Sequence, residues 1–416
     1  MTESPRANIR RLALGRCISV TGGASAFTAL GYTVWHQTHD PWLQALSFML
    51  TFGVSGLVGP FTGALGDHFD RRKVMIWSET VAATFFFVMA FAVRSPLLLI
   101  AFAFASAVAE APFWAASRAA TPNLAETQED IAWANSLIGI GWSSGVAIGP
   151  VLGAVIVAAS GPSWVFGING VSFLVSVLLT VSVRGSYADR RTQAEIDEHR
   201  GITAGVRYLF KEPVLRRICL AWFVFVLGAG MGMVADAALA ESFGVGAVGF
   251  GAIVTCWGLG AVFGNGAGRW LNAQREIRWI VWGAAGIGLA ALGVGFSPAF
   301  PLVLVSLMAF GICDGLSIVA ENGVIQRRTP DAVRSRAIAG FEALLSIGLA
   351  IAYIAAGPML NAVGPRVLYR ITGVAAAGAF VLLLPLLRLA RDEPSTEAVV
   401  GAAPEALGLA PESRAT

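Results

Sequence analysis

Apolar stretches of about twenty residues follow one another along the whole chain, parted by short polar or charged turns. Twelve can be drawn, at 12–33, 43–66, 74–93, 97–117, 133–159, 164–183, 218–239, 247–268, 278–296, 300–320, 338–359 and 367–388. At a rise of about 1.5 Å per residue, each is long enough to cross ~30 Å of hydrocarbon as a helix. In lipid every backbone N–H and C=O needs a partner within its own segment, so the runs predict helices. The alternation that marks a membrane barrel is missing. The expected fold class is an all-α membrane protein with twelve transmembrane helices.

The polar breaks organise these helices. The longest, 184–214, divides them six and six, giving an N-terminal half at 1–183 and a C-terminal half at 215–389. Its end carries Ile202, Val206, Leu209 and Phe210 at helical spacing among basic residues, which predicts an amphipathic helix lying on the inner leaflet. Residues 390–416, rich in Ala, Pro, Glu and Ser, predict a disordered tail. Thr121-Pro122 recurs as Thr329-Pro330, and Gly149-Pro150 as Gly357-Pro358, both at an offset of 208. This internal repeat predicts two pseudo-symmetric six-helix bundles with a binding site between them near the midplane. Gly264-x-Gly266-x-Gly268-Arg269 reads as a degraded repeat of the hairpin after the second run.

Charge placement then sets orientation. With the termini inside, the inner side receives Arg71, Arg72, Lys73, Arg118, the basic linker, Arg275, Arg278, Arg327, Arg328, Arg334, Arg336, Arg388 and Arg391. The outer side receives only Arg94, Arg366 and Arg370, the expected asymmetry for cytoplasmic termini. Trp35, Trp42 and Trp164 fall at the outer boundary, and Trp77, Trp133, Trp270 and Trp279 at the inner one, as interfacial belts. Trp114, Trp222 and Trp257 fall within helices, as cavity or packing residues.

Composition excludes a pair of soluble domains: 56% of residues are hydrophobic and 13% charged, against about 25% charged in an average soluble domain. All four cysteines lie in apolar runs, so no disulfide framework is expected. No cleavable signal peptide is read at the N-terminus. The histidines and cysteines are scattered without metal spacing, and no P-loop lysine follows a glycine-rich turn, so neither an enzyme nor an ATP-driven pump is indicated.

The hairpin between the second and third runs reads Gly63-Ala-Leu-Gly-Asp67-His-Phe-Asp70-Arg71-Arg72-Lys73. It resembles the Gly-x-Leu-x-Asp-Arg-x-Gly-Arg-Arg/Lys loop of the major facilitator superfamily. Gly63, Leu65, Asp67, Arg71 and Arg72 match; His68 and Asp70 depart. The resemblance implies that Asp67 meets the start of the eleventh helix when the cytoplasmic side is closed, and that Arg118 joins this charge network. Residues 71–73 would rest on acidic lipid, and Asp70 would take the left-handed place of the family glycine. The fifth run carries Gly145, Gly149, Pro150 and Gly153, with Ala154 after them. Glycines at i, i+4 and i+8 share one helix face and permit close backbone approach, while proline removes a backbone hydrogen bond. This resembles the fifth-helix motif of proton-driven exporters in the superfamily.

Acids in apolar runs are costly, roughly 2.5–3.5 kcal/mol at mid-bilayer, and so face a partner or a wet cavity. Glu110 in the fourth run and Asp314 in the tenth are the candidates for proton coupling, with a structural ion pair as the plain alternative. Asp236, Glu321 and Glu342 read as structural contacts, and Arg16 and Glu79 as side chains that snorkel to the inner surface.

Arg16-Cys-Ile-Ser19, Gly205-Val-Arg207-Tyr-Leu-Phe210 and Gln326-Arg-Arg-Thr-Pro-Asp331 resemble the branch holding macrolide efflux proteins and the enterobactin exporter. Gly23 stands where that branch often has an acid. The resemblance implies proton-coupled export of a hydrophobic or amphipathic small molecule. Import, uniport or lipid movement on the same fold stays open, as does a non-transporting sensor or scaffold. The expected partners are the bilayer, a small-molecule substrate and protons. No nucleic acid or cofactor beyond the proton motive force is expected, and the chain would act as a monomer in the cell membrane.

Overall fold

The computed structural model describes residues 5–53, 69–124, 127–183, 202–267, 273–329 and 331–388. The first half comprises α1 (Pro5–Thr38), α2 (Pro41–Phe48, continued by a π-helical turn Met49–Gly53), α3 (Arg71–Ala92), α4 (Pro96–Leu124), α5 (Gln128–Ser160) and α6 (Pro162–Ser182). A short α7 (Ile202–Lys211) leads to the second half. That half comprises α8 (Pro213–Ser242), α9 (Gly246–Ala267), α10 (Ala273–Phe296), α11 (Phe300–Arg328), α12 (Asp331–Val363) and α13 (Pro365–Leu383). Ten described helices are long and apolar enough to cross a membrane. Of the twelve predicted runs, the second is described only to Gly53. The first is α1, whose Gly, Ser and Thr content lowers its hydropathy. Those small residues suit a helix packed on α5 and α6 rather than on lipid.

Helix starts are written locally. Proline opens α2, α6, α8 and α13, where its missing N–H costs nothing. Asp70 caps α3 by accepting from Lys73 N at 3.1 Å; its φ is −56°, so it does not take the left-handed place expected of it. Thr127 and Asp130 cap α5 reciprocally. Arg6 donates to Asp130 Oδ1 at 2.8 Å, which, with the Thr127 hydroxyl, holds that carboxyl below its usual range. The α5–α6 and α12–α13 turns are both Gly-Pro, with Gly161 at φ 89° and Gly364 at φ 77°, a conformation that costs glycine little.

The halves repeat one packing scheme. α1 packs on α5 and α6, and α3 on α4 and α6; likewise α8 packs on α12 and α13, and α10 on α11 and α13. Across the divide, α5 packs on α9 and α2 on α12, a pair related by the same exchange of halves. Pro150 and Pro358 lie inside the two helices that cross, but 22 and 27 residues after the first residue of each, so the 208-residue motif offset is not the structural repeat. The equivalent helices α4 and α11 begin 204 residues apart, and α5 and α12 begin 203 apart.

Contacts sort the helix ends into two groups. At one, Arg11 and Arg72 reach the carbonyls of Ser182 and Val181 at the end of α6, Arg327 pairs with Glu276, and Arg328 with Glu212. At the other, Gln37 reaches the Val93 carbonyl and Arg370 the Gly295 carbonyl. We call these the arginine-rich end and the far end. Near the arginine-rich end the buried clusters among the described residues belong to one half each, for example Ile9, Met75 and Ala134 in the first and Leu215, Ile277 and Ala337 in the second. At the far end two clusters cross: Ala45 and Phe48 of α2 join Val234, Phe250 and Tyr353, and Leu30, Leu99 and Val157 join Ala247 of α9. Large apolar side chains such as Phe91, Leu178, Leu289 and Val305 stand exposed, as lipid-facing residues do.

α7 departs from the expected resting place on the leaflet. Leu209 is buried, Val206 packs against Gly340 of α12, and the Tyr208 hydroxyl donates to the Arg328 carbonyl at 2.7 Å. The second half takes up the Val206–Leu209 part of its apolar face, while Phe210 stays exposed.

Candidate functional site

The glycine face of α5 seats α1. A Cβ added at Gly145 would lie 2.8 Å from Val20 Cγ1, at Gly149 2.7 Å from the Thr21 carbonyl, and at Gly153 2.4 Å from the Ser25 carbonyl. Ser25 Oγ donates to the Gly149 carbonyl at 2.7 Å, tying the two backbones together. Pro150 has no N–H, so the carbonyl of Val146 lacks its usual helical donor. Gly258 of α9 lies over that oxygen, where an added Cβ would be 3.2 Å away. The motif thus joins α1 to α5 inside one half and leaves its proline side to the other half.

On the partner helix, Gly260 and Gly264 of α9 interlock with Gly311 and Gly315 of α11; each added Cβ would fall 2.0–2.4 Å from a facing carbonyl. Gly264, read in the sequence as part of a second hairpin motif, is a packing glycine. Gly268 and Arg269 lie outside the described residues.

The two candidate acids occupy matching places. α4 and α11 are each 29 residues long and begin at the far end. Glu110 and Asp314 both lie 14 residues after the first residue of their helix, about 21 Å along it. Both are half-buried. Trp114 Nε1 donates to Glu110 Oε1 at 3.1 Å and stacks edge-on with Trp142; Trp257 lies beside Asp314. The fourth helix of each half therefore carries an acid with an indole beside it at the same depth, and α11 carries a second, the buried Glu321.

Arg16 and Glu79 do not snorkel. Arg16 is 5% exposed and donates through Nε to Ser117 Oγ at 2.6 Å; Glu79 is 0% exposed. Asp236 is the structural contact expected: the Tyr369 hydroxyl donates to it. Trp222 is buried against Phe225, a packing role.

Of the hairpin residues, Gly63 and Asp67 lie outside the described residues, as does the side chain of Arg118 near the end of α4. Arg71 is buried, and Arg72 is turned onto the end of α6, where it satisfies an open helix carbonyl instead of reaching only for lipid. Lys73 is exposed.

At the far end, sequence reading missed a polar contact between halves. Trp35 Nε1 donates to Glu241 Oε2, and His39 Nε2 lies 2.9 Å from Glu241 Oε1. Trp35 had the position of a belt residue; only the fold brings α8 to it. Replacing Glu241 by Gln should loosen this closure modestly, because exposed pairs contribute about 0.2–1 kcal/mol. Spin labels at Arg94 and Ala299, one on each half, should report an up to about fivefold larger separated population. An unchanged distance distribution would remove Glu241 from the gate.

Comparison with known proteins agrees with this architecture. The family model described as Major Facilitator Superfamily matches residues 12–237 and 218–413. The chain is 24% identical over 339 residues to the enterobactin exporter EntS of Shigella boydii, covering 79% of each protein. The EntS protein of Escherichia coli O1:K1 matches to the same extent. Among solved structures, a bacterial homologue of the human lysosomal transporter Spinster, inward-facing and occupied, superposes with a TM-score of 0.71 at 13% identity over 93% of this chain and 98% of that one. The nucleoside transporter NupG gives 0.69 at 14% identity over 93% and 100%.

Proposed function

The chain belongs to the major facilitator superfamily, and from that premise we propose that it exports a hydrophobic or amphipathic small molecule in exchange for protons by alternating access. A drug, a siderophore or a secondary metabolite fits this class. The halves 1–183 and 215–389 rock against each other, with 184–214 as the connecting linker and 390–416 as a tail. Both termini face the cytoplasm, so the arginine-rich end is the inner one, as the positive-inside bias favours. The far-end clusters make this an outward-closed state. No cofactor is needed, and the chain works as a monomer in the inner membrane with only lipid, protons and substrate as partners.

The observation that carries coupling is the matched pair Glu110 and Asp314, one half-buried acid on the fourth helix of each half. An acid in a low-dielectric site can trade its proton as access changes. Proton entry at 100 mV supplies ~2.3 kcal/mol per charge. Gly63, Asp67, Arg71, Arg72 and Arg118 form the inner gate, and the Gly145–Gly153 face keeps α1 close to α5. The similarity to enterobactin exporters supports export over import.

A deletion strain, compared with its parent for antibiotic sensitivity and secreted siderophores, identifies the cargo. Inside-out vesicles should then take that compound up in a manner abolished by an uncoupler. Glu110→Gln and Asp314→Asn should each lower gradient-driven uptake at least tenfold while exchange without a gradient continues. Full gradient-driven uptake in both variants would end the coupling assignment. Accumulation in right-side-out vesicles instead would reverse the direction.

A further inference from the structure

Glu79 and Arg16 lie together inside the first half, apart from the matched acids. Glu79 sits eight residues into α3 and is fully buried. Among the described residues neither of its carboxyl oxygens is in hydrogen-bond geometry, and the Ser176 hydroxyl of α6 stands beside it. Four helices bring polar groups to this spot. Gly15 lets α1 close on α6: a Cβ there would be 3.1 Å from Ser176 Oγ. That approach places the next residue, Arg16, within electrostatic reach of Glu79. The Arg16 guanidinium is held by the hydroxyl of Ser117 on α4, and Glu110, about two helical turns from Ser117, is the other charge facing Glu79. α6 offers Ser176 and has no ionisable residue along its length. The corresponding helix of the second half, α10, has no acid in its span after Glu276.

A dry carboxylate with neither oxygen in hydrogen-bond geometry is heavily penalised. A neutral carboxylic acid is tolerated there. We propose that Glu79 is a proton-binding site with Arg16 as its counter-ion: it carries a proton in this far-end-closed conformation, and on release its carboxylate takes up the Arg16 guanidinium. The bond broken is the Glu79 O–H. The proton passes to water entering from the arginine-rich end, and Arg16 N–H groups redirect from Ser117 to the new carboxylate. The site is single, present in one half only, and so breaks the symmetry of Glu110 and Asp314. Its use in transport rests on the proton-coupled reading above, but the site itself stands on the burial and the four-helix convergence.

Infrared spectroscopy of the purified full chain in lipid tests this without any substrate. A protonated carboxylic acid gives a carbonyl-stretch band distinct from that of a carboxylate, and it is followed from pH 5 to pH 9. The wild type should show a buried-acid band that loses the Glu79 component in Glu79→Gln and keeps that component in Glu110→Gln. Arg16→Gln should retain the band to a pH at least one unit higher, a tenfold weaker proton release, because the counter-charge is gone. A band of equal size in wild type and Glu79→Gln overturns the assignment. If Glu79→Gln does not fold, identical titrations of wild type and Arg16→Gln overturn it instead. Should the band behave as expected while uptake ignores an imposed pH gradient, the coupled-export reading fails and the Glu79 site stands.

Discussion

Gly153→Leu should leave little folded protein. A Cβ at Gly153 would stand 2.4 Å from the Ser25 carbonyl oxygen and 2.9 Å from Ser25 Cα. Both are backbone atoms, so no rotamer change relieves the clash; α1 must move off α5. Overpacking ordinarily costs about 1–3 kcal/mol, and here leucine also breaks the Ser25–Gly149 hydrogen bond. We expect a loss of about 3 kcal/mol or more, against a whole-protein stability of only ~5–15 kcal/mol. α1 and α5 belong to the same half, so this contact persists through any rocking of the halves and neither access state escapes the cost. Gly139 is the control: it lies on the same helix, and an added Cβ there meets nothing within 4 Å. Gly139→Ala should melt no lower than wild type, with a gain of up to ~1 kcal/mol from helix propensity. Melting of detergent-solubilised protein, followed by monodisperse elution, checks both. Equal melting of Gly153→Leu and wild type would mean that the α1–α5 seat is far looser than its geometry.

Most of this architecture is legible in the chain because a bilayer imposes a length and glycine spacing imposes a face. The α5 glycines could be placed together from their 3.6-residue periodicity alone, although not against α1. What stayed hidden has one physical cause. A helix that is apolar all round carries no amphipathic signal to say which side looks inward. Glu79 therefore read as a side chain reaching for the surface, while the structure buries it with Arg16, Ser117 and Ser176 from three other helices. No spacing within α3 could reveal that. The same holds for Trp35, whose indole meets Glu241 only through a contact between residues 206 apart. Asp70 was misread for a different reason. A family glycine suggested a left-handed turn, whereas an acid just before a helix has the local chemistry of a cap, and capping is what it does. The apolar side of α7 was correct as a pattern but not in its partner, since Gly340 opens the space that Val206 fills.

Gly251→Leu should act on conformation where Gly153→Leu acts on folding. A Cβ at Gly251 would be 2.3 Å from Ala154 Cβ and 3.1 Å from the Pro150 carbonyl oxygen. Gly251 is on α9 and Ala154 on α5, so this clash lies between the halves. It exists only while the far end is closed, and parting the halves relieves it. An overpacking cost of about 2–3 kcal/mol then becomes a bias of roughly 30- to 150-fold toward the far-end-open state, at about 1.4 kcal/mol per factor of ten. Moving a population from 1:99 to 99:1 takes ~5.5 kcal/mol, so the variant should populate both states where wild type holds one. Spin labels at Arg94 and Ala299 should show a new, longer distance in Gly251→Leu and, because alanine already brings the clashing Cβ, the same distance at lower weight in Gly251→Ala. Transport should fall at least tenfold, because the return to this closed state is obstructed. Its melting temperature should fall less than that of Gly153→Leu, since the second state accommodates the side chain and caps the loss at the cost of opening. A variant that melts as early as Gly153→Leu with no new distance would show that α5 and α9 stay packed throughout, and alternating access about this seam would be wrong.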